Sequence, residues 1–421
     1  MAASDQFQST VDEYLVHPFS RRVSSTLLRI VAHWDWALAI ITSVIGAAYI
    51  LYILLITHSG FWDFEAYIDA VQAMKVGMSP YDFLYIVQNI NSGTLQFVYP
   101  PLVAAFLYGL SGVALTTIGL TVLLTMAAIS TLAIPYVLAG CPRNWFSPKT
   151  LYLFGFFFVL FGFGGIRLFL SGNIQSLVCG AIVVSIFIAI KRQDYWLFWI
   201  VLGISSFIKF YFLAFLLVPL ILDRKYVASI SFVLIFGALF TTNYFYDPDL
   251  FWQFVSLIGR LSREPEIAGF SLYSFAITAL RMAFPNDIRV SIIASGLHIT
   301  FALFVCMLAY SVAQKRTRPE RFDLLSCWLF MSAYLISPRL LEYDMAVLVV
   351  PLIRLGRMLL LQRGIGIAVA GGIGICGCIL IRTPFVQWVG TIVLVGVWVG
   401  SAVHWLVADR QLNSFLKDEL A

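Results

Sequence analysis

The chain alternates between long apolar runs and short polar segments from Trp36 almost to its C-terminus. A helix needs about 20 apolar residues to cross the hydrocarbon core of a bilayer, and several runs reach that length. The pattern therefore predicts an all-α polytopic membrane protein with about 12 transmembrane helices. The candidate spans are 36–57, 97–117, 119–139, 151–170, 174–190, 196–222, 227–246, 290–313, 324–338, 344–361, 364–381 and 388–407.

Composition agrees with this class of protein. Hydrophobic residues make up 61% of the chain and charged residues 12%, whereas soluble domains carry about 25% charged residues. The first 30 residues are polar, so no cleaved signal peptide is expected. The six cysteines lie mostly within apolar runs and show no metal-ligand spacing, which favours a role as small hydrophobes. The net charge of +5 gives no case for nucleic-acid binding.

Basic clusters predict the orientation, because cytoplasmic loops carry an excess of Lys and Arg. The clusters at 21–29, 315–321 and 354–363 predict that both termini lie in the cytoplasm. The expected location is a plasma (inner) membrane. The chain then divides into a cytoplasmic N-terminal segment, one transmembrane domain and a cytoplasmic tail, at 1–35, 36–407 and 408–421. Extracytoplasmic segments are predicted at 58–96, 247–289, 339–343 and 382–387.

The run 196–222 has two interpretations. It lies between the basic points Lys191-Arg192 and Arg224-Lys225, and its length suits one tilted span of about 40 Å. If both basic points are cytoplasmic, the run is instead a bent hairpin with Lys209 at its turn, and 97–117 must be re-entrant. The hairpin is the preferred interpretation, because it places Lys209 in a protein-lined cavity rather than in lipid.

The first extracytoplasmic loop concentrates acids next to the membrane, at Asp63, Glu65, Asp69 and Asp82. On a helix Asp63 and Tyr67 share a face, and the loop as a whole predicts a surface helix, a turn and a return to the membrane. Spacing alone fits equally well a solvated interfacial helix whose acids face water.

Three motifs follow one another in this loop: D-F-x-x-Y at Asp63–Tyr67, G-x-x-P-Y at Gly77–Tyr81 and Y-P-P-L at Tyr99–Leu102. Their order resembles the first extracytoplasmic loop of glycosyltransferase family 87, typified by α-1,2-mannosyltransferases and arabinofuranosyltransferases of the GT-C superfamily. The resemblance implies a GT-C-type fold. It also implies transfer of a sugar, mannose by family default, from a polyprenyl-phosphate donor to a glycan or glycolipid acceptor on the extracytoplasmic side.

The chain departs from the family pattern at three places. The G-Q-x-N of a later span appears as Gly172-Asn173-Ile174-Gln175, with the two amides exchanged. An S-P motif followed by two histidines appears here with Tyr343 and Asp344 at the histidine positions. The N-x-S of the late outer loop has become Gly269-Phe270-Ser271. These changes bear on the sugar and the acceptor more than on the fold.

A transfer of this kind needs a base for the proton of the acceptor hydroxyl, and a positioned carboxylate contributes typically about 10²–10⁴-fold. The resemblance implies that Asp63 is this base in an inverting displacement. One carboxylate suffices, because a lipid phosphate leaves without a strong acid, in contrast to the carboxylate pair of glycoside hydrolases. Neighbours expected to contact acceptor or sugar are Glu65, Tyr67, Asp69, Tyr81 and Tyr99.

The leaving phosphate needs positive charge, and cations inside a span are costly without a function. Lys209 and Arg167 are therefore hypothesised to bind the donor phosphate, with a snorkelling interfacial cation as the alternative. Other polar residues that could contact donor phosphate or sugar are Asn173, Gln175, Arg339, Glu342 and Asp344. For these residues, interhelical hydrogen bonds or an internal ion network are the alternatives.

No cofactor is predicted with certainty. Asp63, Glu65 and Asp69 are hard oxygen ligands that could hold a divalent metal, but their spacing defines no ligand set. The expected partners are the polyprenyl-phosphate-linked sugar, a glycan or glycolipid acceptor, and membrane lipid. The alternative function is a secondary transporter or a flippase for lipid-linked sugars, which Lys209 in a broken helix would suit.

Overall fold

The computed structural model describes residues 62–91, 95–110, 117–138, 174–261, 271–284, 289–314, 324–338, 342–363 and 391–406, with isolated helical positions at 40, 41, 44 and 48. Within these ranges every regular element is an α-helix except one 3₁₀ helix at Phe210–Leu216. The predicted all-α class is therefore confirmed for the described part of the chain.

The described helices, numbered in chain order, are α1 (Trp62–Lys75), α2 (Phe83–Asn89), α3 (Pro101–Gly109), α4 (Thr117–Leu138), α5 (Gln175–Arg192), α6 (Trp196–Ile208), α7 (Leu217–Leu222), α8 (Tyr226–Tyr246), α9 (Pro248–Leu261), α10 (Leu272–Ala283), α11 (Val290–Gln314), α12 (Leu324–Ile336), α13 (Glu342–Arg363) and α14 (Thr391–Leu406).

Two of the described helices, α8 and α11, are long and apolar enough to cross a membrane. They contain 21 and 25 residues, or roughly 32 and 38 Å of helix. Their surfaces carry large exposed apolar side chains, such as Val227, Phe245 and Ile292. A continuous apolar surface of this kind suits hydrocarbon rather than water. Both helices lie where a span was predicted, and they support association with a membrane.

The remaining predicted spans agree with the described helices to different degrees. Helices α4, α5, α13 and α14 coincide with predicted spans to within a few residues. By contrast, α12 has only 13 residues, about 20 Å. The predicted spans 151–170 and 364–381 lie outside the described residues, as does 36–57 apart from its four isolated positions. The count of about 12 crossings stays a prediction.

Helix α3 is too short to cross a membrane. It has nine residues, about 14 Å, and it begins with Pro101 at its first position, where the missing N–H costs nothing. It packs against α1, α8 and α9. Of the predicted run 97–117, the described part therefore agrees with a re-entrant segment rather than with a complete span.

The main core surrounds α12, in which every residue from Leu325 to Leu335 is buried. A helix that is apolar on all sides belongs in the interior of a bundle. Trp328 stacks on Trp398 with ring centroids 5.2 Å apart. The Trp328 indole N–H donates to the Trp398 carbonyl at 2.9 Å, and the Trp398 indole N–H donates to Ser332 Oγ at 2.7 Å. Each buried indole donor thus has an acceptor.

The run 196–222 is broken at Lys209. Helix α6 ends at Ile208, Lys209 is extended with φ −140° and ψ 101°, and the 3₁₀ helix begins at Phe210. The Lys209 N–H still donates to the Ser205 carbonyl at 2.8 Å, so the break leaves that group satisfied. The predicted interruption at Lys209 is confirmed.

The neighbouring helices show which way the broken run travels. Helix α5 begins beside the first loop, where the Ile174 N–H approaches the Tyr67 hydroxyl, and it ends at Arg192 on the opposite side of the bundle. Helix α8 returns from Tyr226 to Tyr246, next to α9, which packs on the first loop. This course is compatible with the predicted hairpin, and the membrane topology of 196–222 stays a prediction.

Candidate functional site

The first loop folds around a small aromatic core of its own. Tyr67, Tyr81, Phe97 and Tyr99 are buried together, with Phe254 of α9 closing one side. Tyr67 and Tyr99 meet edge to face with centroids 5.4 Å apart. Edge-to-face pairs of this kind are stabilising beyond the area they bury. This core fixes the position of α1 relative to the bundle.

Hydrogen bonds link the three tyrosines of this core. The hydroxyl groups of Tyr67 and Tyr99 lie 2.9 Å apart, and the Tyr81 hydroxyl donates to the Tyr99 carbonyl at 2.7 Å. The Ile174 N–H at the start of α5 also donates to the Tyr67 hydroxyl, at 3.4 Å. The predicted first-loop tyrosines are thus brought together, and they join the loop to the membrane helices.

Asp63 lies one turn before Tyr67 on the same face of α1, and it is half-buried. Burial raises the pKa of Tyr67 well above its usual range, and the negative charge of Asp63 raises the pKa further. The carboxylate is therefore within electrostatic reach of the tyrosine pair. Its position in the first turn of α1 also places it near the backbone N–H groups that have no partner within the helix.

The other acids of the loop have different surroundings. Glu65 is exposed on the outer side of α1. Asp69 is buried and accepts a hydrogen bond from the Asn91 side-chain amide at 3.3 Å. Asp82 caps α2 by accepting from the Tyr85 N–H at 3.0 Å, as an Asp before a helix commonly does. Among the four acids, Asp63 alone lies next to the Tyr67–Tyr99 pair.

Lys209 reaches the same tyrosine pair from the membrane helices. Its Nζ lies 5.7 Å from the centroid of the Tyr99 ring, within the range of a cation–π contact. The side chain is half-buried at the helix break. The structure therefore brings Asp63 and Lys209, which are separated by almost 150 positions in the sequence, to the two members of one hydrogen-bonded tyrosine pair.

The predicted donor-side amides are only partly described. Gln175 is buried, and its side-chain amide donates to the Tyr211 hydroxyl in the segment just after Lys209. It lies next to Ile174, so the start of α5 borders the site. Asn173 and Arg167 lie outside the described residues.

The predicted cluster at 339–344 is not defined by the described side chains. Arg339 lies outside the described residues, and Glu342 and Asp344 are seen only as part of the backbone of α13. Ser271, the last residue of the Gly269-Phe270-Ser271 motif, contacts the S-P motif. Its hydroxyl donates to the Pro338 carbonyl at 2.6 Å. His298, which sequence reasoning missed, lies nearby with its Nε2 2.9 Å from the Ile336 carbonyl.

Two helices, α9 and α10, lie within the segment 247–289 that is predicted to be extracytoplasmic. The apolar residues Phe254, Leu257 and Leu261 recur at helical spacing and pack on the first-loop core, and this periodicity was the missed signal. Burial also raises the pKa of Tyr81, with Asp247 at the start of α9 adding to the effect.

Two cavities flank α9. A polar cleft of about 600 Å³ is lined by Tyr81, Gln96, Asp249, Trp252, Gln253 and Arg260, among others. An apolar groove of about 200 Å³ is lined by Phe210, Phe236, Phe240, Phe254, Val255 and Ile258. The apolar groove begins at the residue that follows Lys209.

A metal site is not defined by the described residues, among which no group of three or more His, Cys, Asp or Glu side chains is placed to hold an ion. In particular, Asp69 is engaged with Asn91, and Glu65 points to the exposed side of α1.

No protein-family model, curated protein or solved structure matches the chain.

Proposed function

We propose that the chain is an integral-membrane glycosyltransferase that moves a sugar, mannose by family default, from a polyprenyl-phosphate donor to a glycan or glycolipid acceptor. The observation that supports this most is the convergence of Asp63 and Lys209 on the Tyr67–Tyr99 pair. The Asp63 carboxylate can accept the proton of the acceptor hydroxyl, and the Lys209 ammonium can bind the phosphate of the donor. They come from separate parts of the chain, and each was predicted for its own half of the reaction.

The proposed step is an inverting displacement at the anomeric carbon. The acceptor O–H bond breaks, and the proton goes to the Asp63 carboxylate as the acceptor oxygen bonds to the sugar carbon. The bond from that carbon to the phosphate oxygen breaks on the opposite face, and its electron pair leaves with the polyprenyl phosphate. Lys209 stabilises the charge that grows on this phosphate, which is where fixed positive charge has most effect on the rate.

The apolar groove supports a lipid-borne donor. Its walls are aromatic and aliphatic side chains from the 3₁₀ helix, α8 and α9. Phe210 at its end adjoins Lys209 directly in sequence. A phosphate held by Lys209 would therefore place the first carbons of a polyprenyl chain against an apolar surface, where burying each CH₂ is favourable by about 0.8 kcal/mol.

The proposal also includes the membrane topology and the fold. With the site on the extracytoplasmic side, the hairpin 196–222 opens toward the cytoplasm. Lys191, Arg192, Arg224 and Lys225 then lie there, as the positive-inside rule requires. Both termini are placed in the cytoplasm of a cell with a plasma (inner) membrane, and the chain is assigned about 12 crossings in a GT-C-type arrangement.

A second candidate function is a transporter or flippase for lipid-linked sugars. The helix break at Lys209 favours it, because discontinuous helices line the substrate sites of many transporters. The position of Asp63 beside the Tyr67–Tyr99 pair favours the transferase, since a base for the acceptor hydroxyl is needed there and a transporter has no such requirement.

Purified protein in proteoliposomes separates the two functions. Labelled polyprenyl-phosphate mannose and polyprenyl-phosphate arabinose are supplied in the bilayer, with short oligosaccharides as acceptors in the aqueous phase. The transferase predicts labelled oligosaccharide and free polyprenyl phosphate in equal amounts. Movement of intact labelled lipid between leaflets, without either product, would instead establish the transporter.

A further inference from the structure

The polar cleft is formed by one face of an amphipathic helix. Asp249, Gln253, Ser256 and Arg260 recur at intervals of three or four residues along α9 and line the cleft. Phe254 and Leu257 of α9 are buried in the first-loop core, and Leu257 also borders the cleft. The polar face is thus presented to solvent at a fixed position beside the candidate site.

Trp252 stands among these polar groups with 58% of its surface exposed. Its ring offers a broad apolar face for stacking, with an N–H donor at the edge. Around it the cleft provides amides from Gln96 and Gln253, the Asp249 carboxylate and the Arg260 guanidinium. A flat aromatic surface with several planar hydrogen-bonding groups matches a sugar ring, which has apolar C–H faces and a rim of hydroxyls.

The cleft is also partly pre-organised. The Arg260 guanidinium donates to Gln96 Oε1 at 3.1 Å, and the Ser79 hydroxyl donates to Gln253 Oε1. Side chains already held in place lose less conformational entropy when a ligand binds. Among the described residues that line the cleft there is one carboxylate and one guanidinium, so their summed charge is close to zero. This balance favours a neutral ligand over an anionic one.

We propose that the polar cleft binds the acceptor as a neutral oligosaccharide, with one ring stacked on Trp252 and its hydroxyls bonded to Gln253, Asp249 and Arg260. This inference rests on the proposed transferase function and names the class of its acceptor. The cleft volume of about 600 Å³ lies within the usual range for ligand sites.

Tyr81 connects the cleft to the reacting groups. It lines the cleft, and its hydroxyl donates to the Tyr99 carbonyl. Tyr99 in turn is bonded to Tyr67, one turn from Asp63. Tyr81 thus links the wall of the cleft to the tyrosine pair beside Asp63.

The test is direct binding, measured by saturation-transfer NMR on purified full-length protein in nanodiscs. The probes are short neutral manno-, arabino- and gluco-oligosaccharides, with a galacturonate oligosaccharide as the anionic comparison. The variants are Trp252→Ala, Trp252→Phe and Gln253→Ala. The matched control is Trp196→Ala, because Trp196 is 59% exposed but lies outside the cleft.

The proposal predicts that at least one neutral oligosaccharide binds the wild type, and that Trp252→Ala weakens binding by about tenfold or more. Trp252→Phe keeps most of the affinity, Gln253→Ala weakens it, and Trp196→Ala leaves it unchanged. The proposal is overturned if no neutral probe binds, or if Trp252→Ala and Trp196→Ala behave alike. Binding with this variant pattern but without sugar transfer from any donor would refute the transferase while the glycan site stands.

Discussion

Replacing Lys209 by methionine tests the phosphate-binding role of this residue. Methionine has a similar length and no charge, so the helix break keeps its shape while the ammonium group is lost. Lys209 is half-buried and contacts the Tyr99 ring at 5.7 Å, a contact that contributes about 0.5–1 kcal/mol at exposed sites. Removing a partly buried cation also removes a desolvation cost, so we expect thermal stability to change little.

The effect on transfer should be much larger than the effect on stability. An ammonium and a phosphate about 4 Å apart interact by about 4 kcal/mol at an effective dielectric of about 20. Net contributions of charged hydrogen bonds are nearer about 1.5–3 kcal/mol, which corresponds to a loss of about 10- to 100-fold in kcat/KM for the donor. Because negative charge on the phosphate grows as the bond breaks, part of the loss should appear in kcat.

The assay follows transfer from labelled polyprenyl-phosphate sugar in proteoliposomes as donor concentration is varied. Lys209→Arg keeps the charge and should recover part of the activity. Lys191→Met is the matched control, because Lys191 Nζ lies 5.9 Å from the Phe187 ring in the same kind of contact but on the far side of the bundle. If Lys209→Met transfers sugar within twofold of the wild type, Lys209 does not bind the donor phosphate.

Two further predictions concern the fold. Gly180→Ala should destabilise the protein by about 1–3 kcal/mol, because the added Cβ would lie 2.5 Å from Ser130 Cβ on α4. Gly237→Ala on α8 meets nothing within 4 Å and should be neutral or stabilising, and equal melting temperatures for the two variants in detergent would contradict this helix contact. Burial raises the pKa of Tyr67 and Tyr81 above that of the unfolded chain. Below pH about 10 both groups are protonated in either state, so they do not change the free energy of unfolding. At higher pH the unfolded chain loses these protons first, and the free energy of unfolding falls by up to about 1.4 kcal/mol per pH unit for each group. Tyr81→Phe should reduce this alkaline loss in thermal unfolding between pH 9 and 11, and an unchanged pH dependence would contradict the burial of its hydroxyl.

Much of the helical pattern was predictable from apolar periodicity. The bounds of α8 and α11 follow the runs predicted at 227–246 and 290–313 closely. A run flanked by charges and uniformly apolar leaves few alternatives in a membrane. The break at Lys209 was also predictable, because a cation between apolar residues is stable only where the helix gives it a polar environment.

Other elements depended on contacts that no local pattern contains. Helix α9 was not predicted, although its apolar residues recur at helical spacing. Its importance arises from packing on Tyr81 and Phe97, about 150 positions earlier in the chain. Sequence reasoning therefore missed the polar cleft altogether.

Among the candidate site residues, the charged groups were easier to predict from the sequence than the hydrogen-bond partners. Asp63 and Lys209 stood out because a charge beside or inside a membrane needs a reason. Tyr81 and Asp69 are predicted to contact substrate, and the structure adds partners that spacing does not indicate, the Tyr99 carbonyl for Tyr81 and the Asn91 amide for Asp69. Such partners are set by tertiary packing, which spacing does not reveal.

The central claim is that Asp63 removes the proton of the acceptor hydroxyl. The decisive measurement is the rate of sugar transfer by Asp63→Asn at saturating donor and acceptor, with Asp82→Asn as control. Asn caps a helix as well as Asp does, so the control removes an acid from the same loop while keeping the α2 cap that Asp82 forms. The account predicts that kcat falls by about 10²–10⁴-fold in Asp63→Asn while donor binding and Asp82→Asn activity stay near wild type. Transfer by a folded Asp63→Asn protein at the wild-type rate would contradict it.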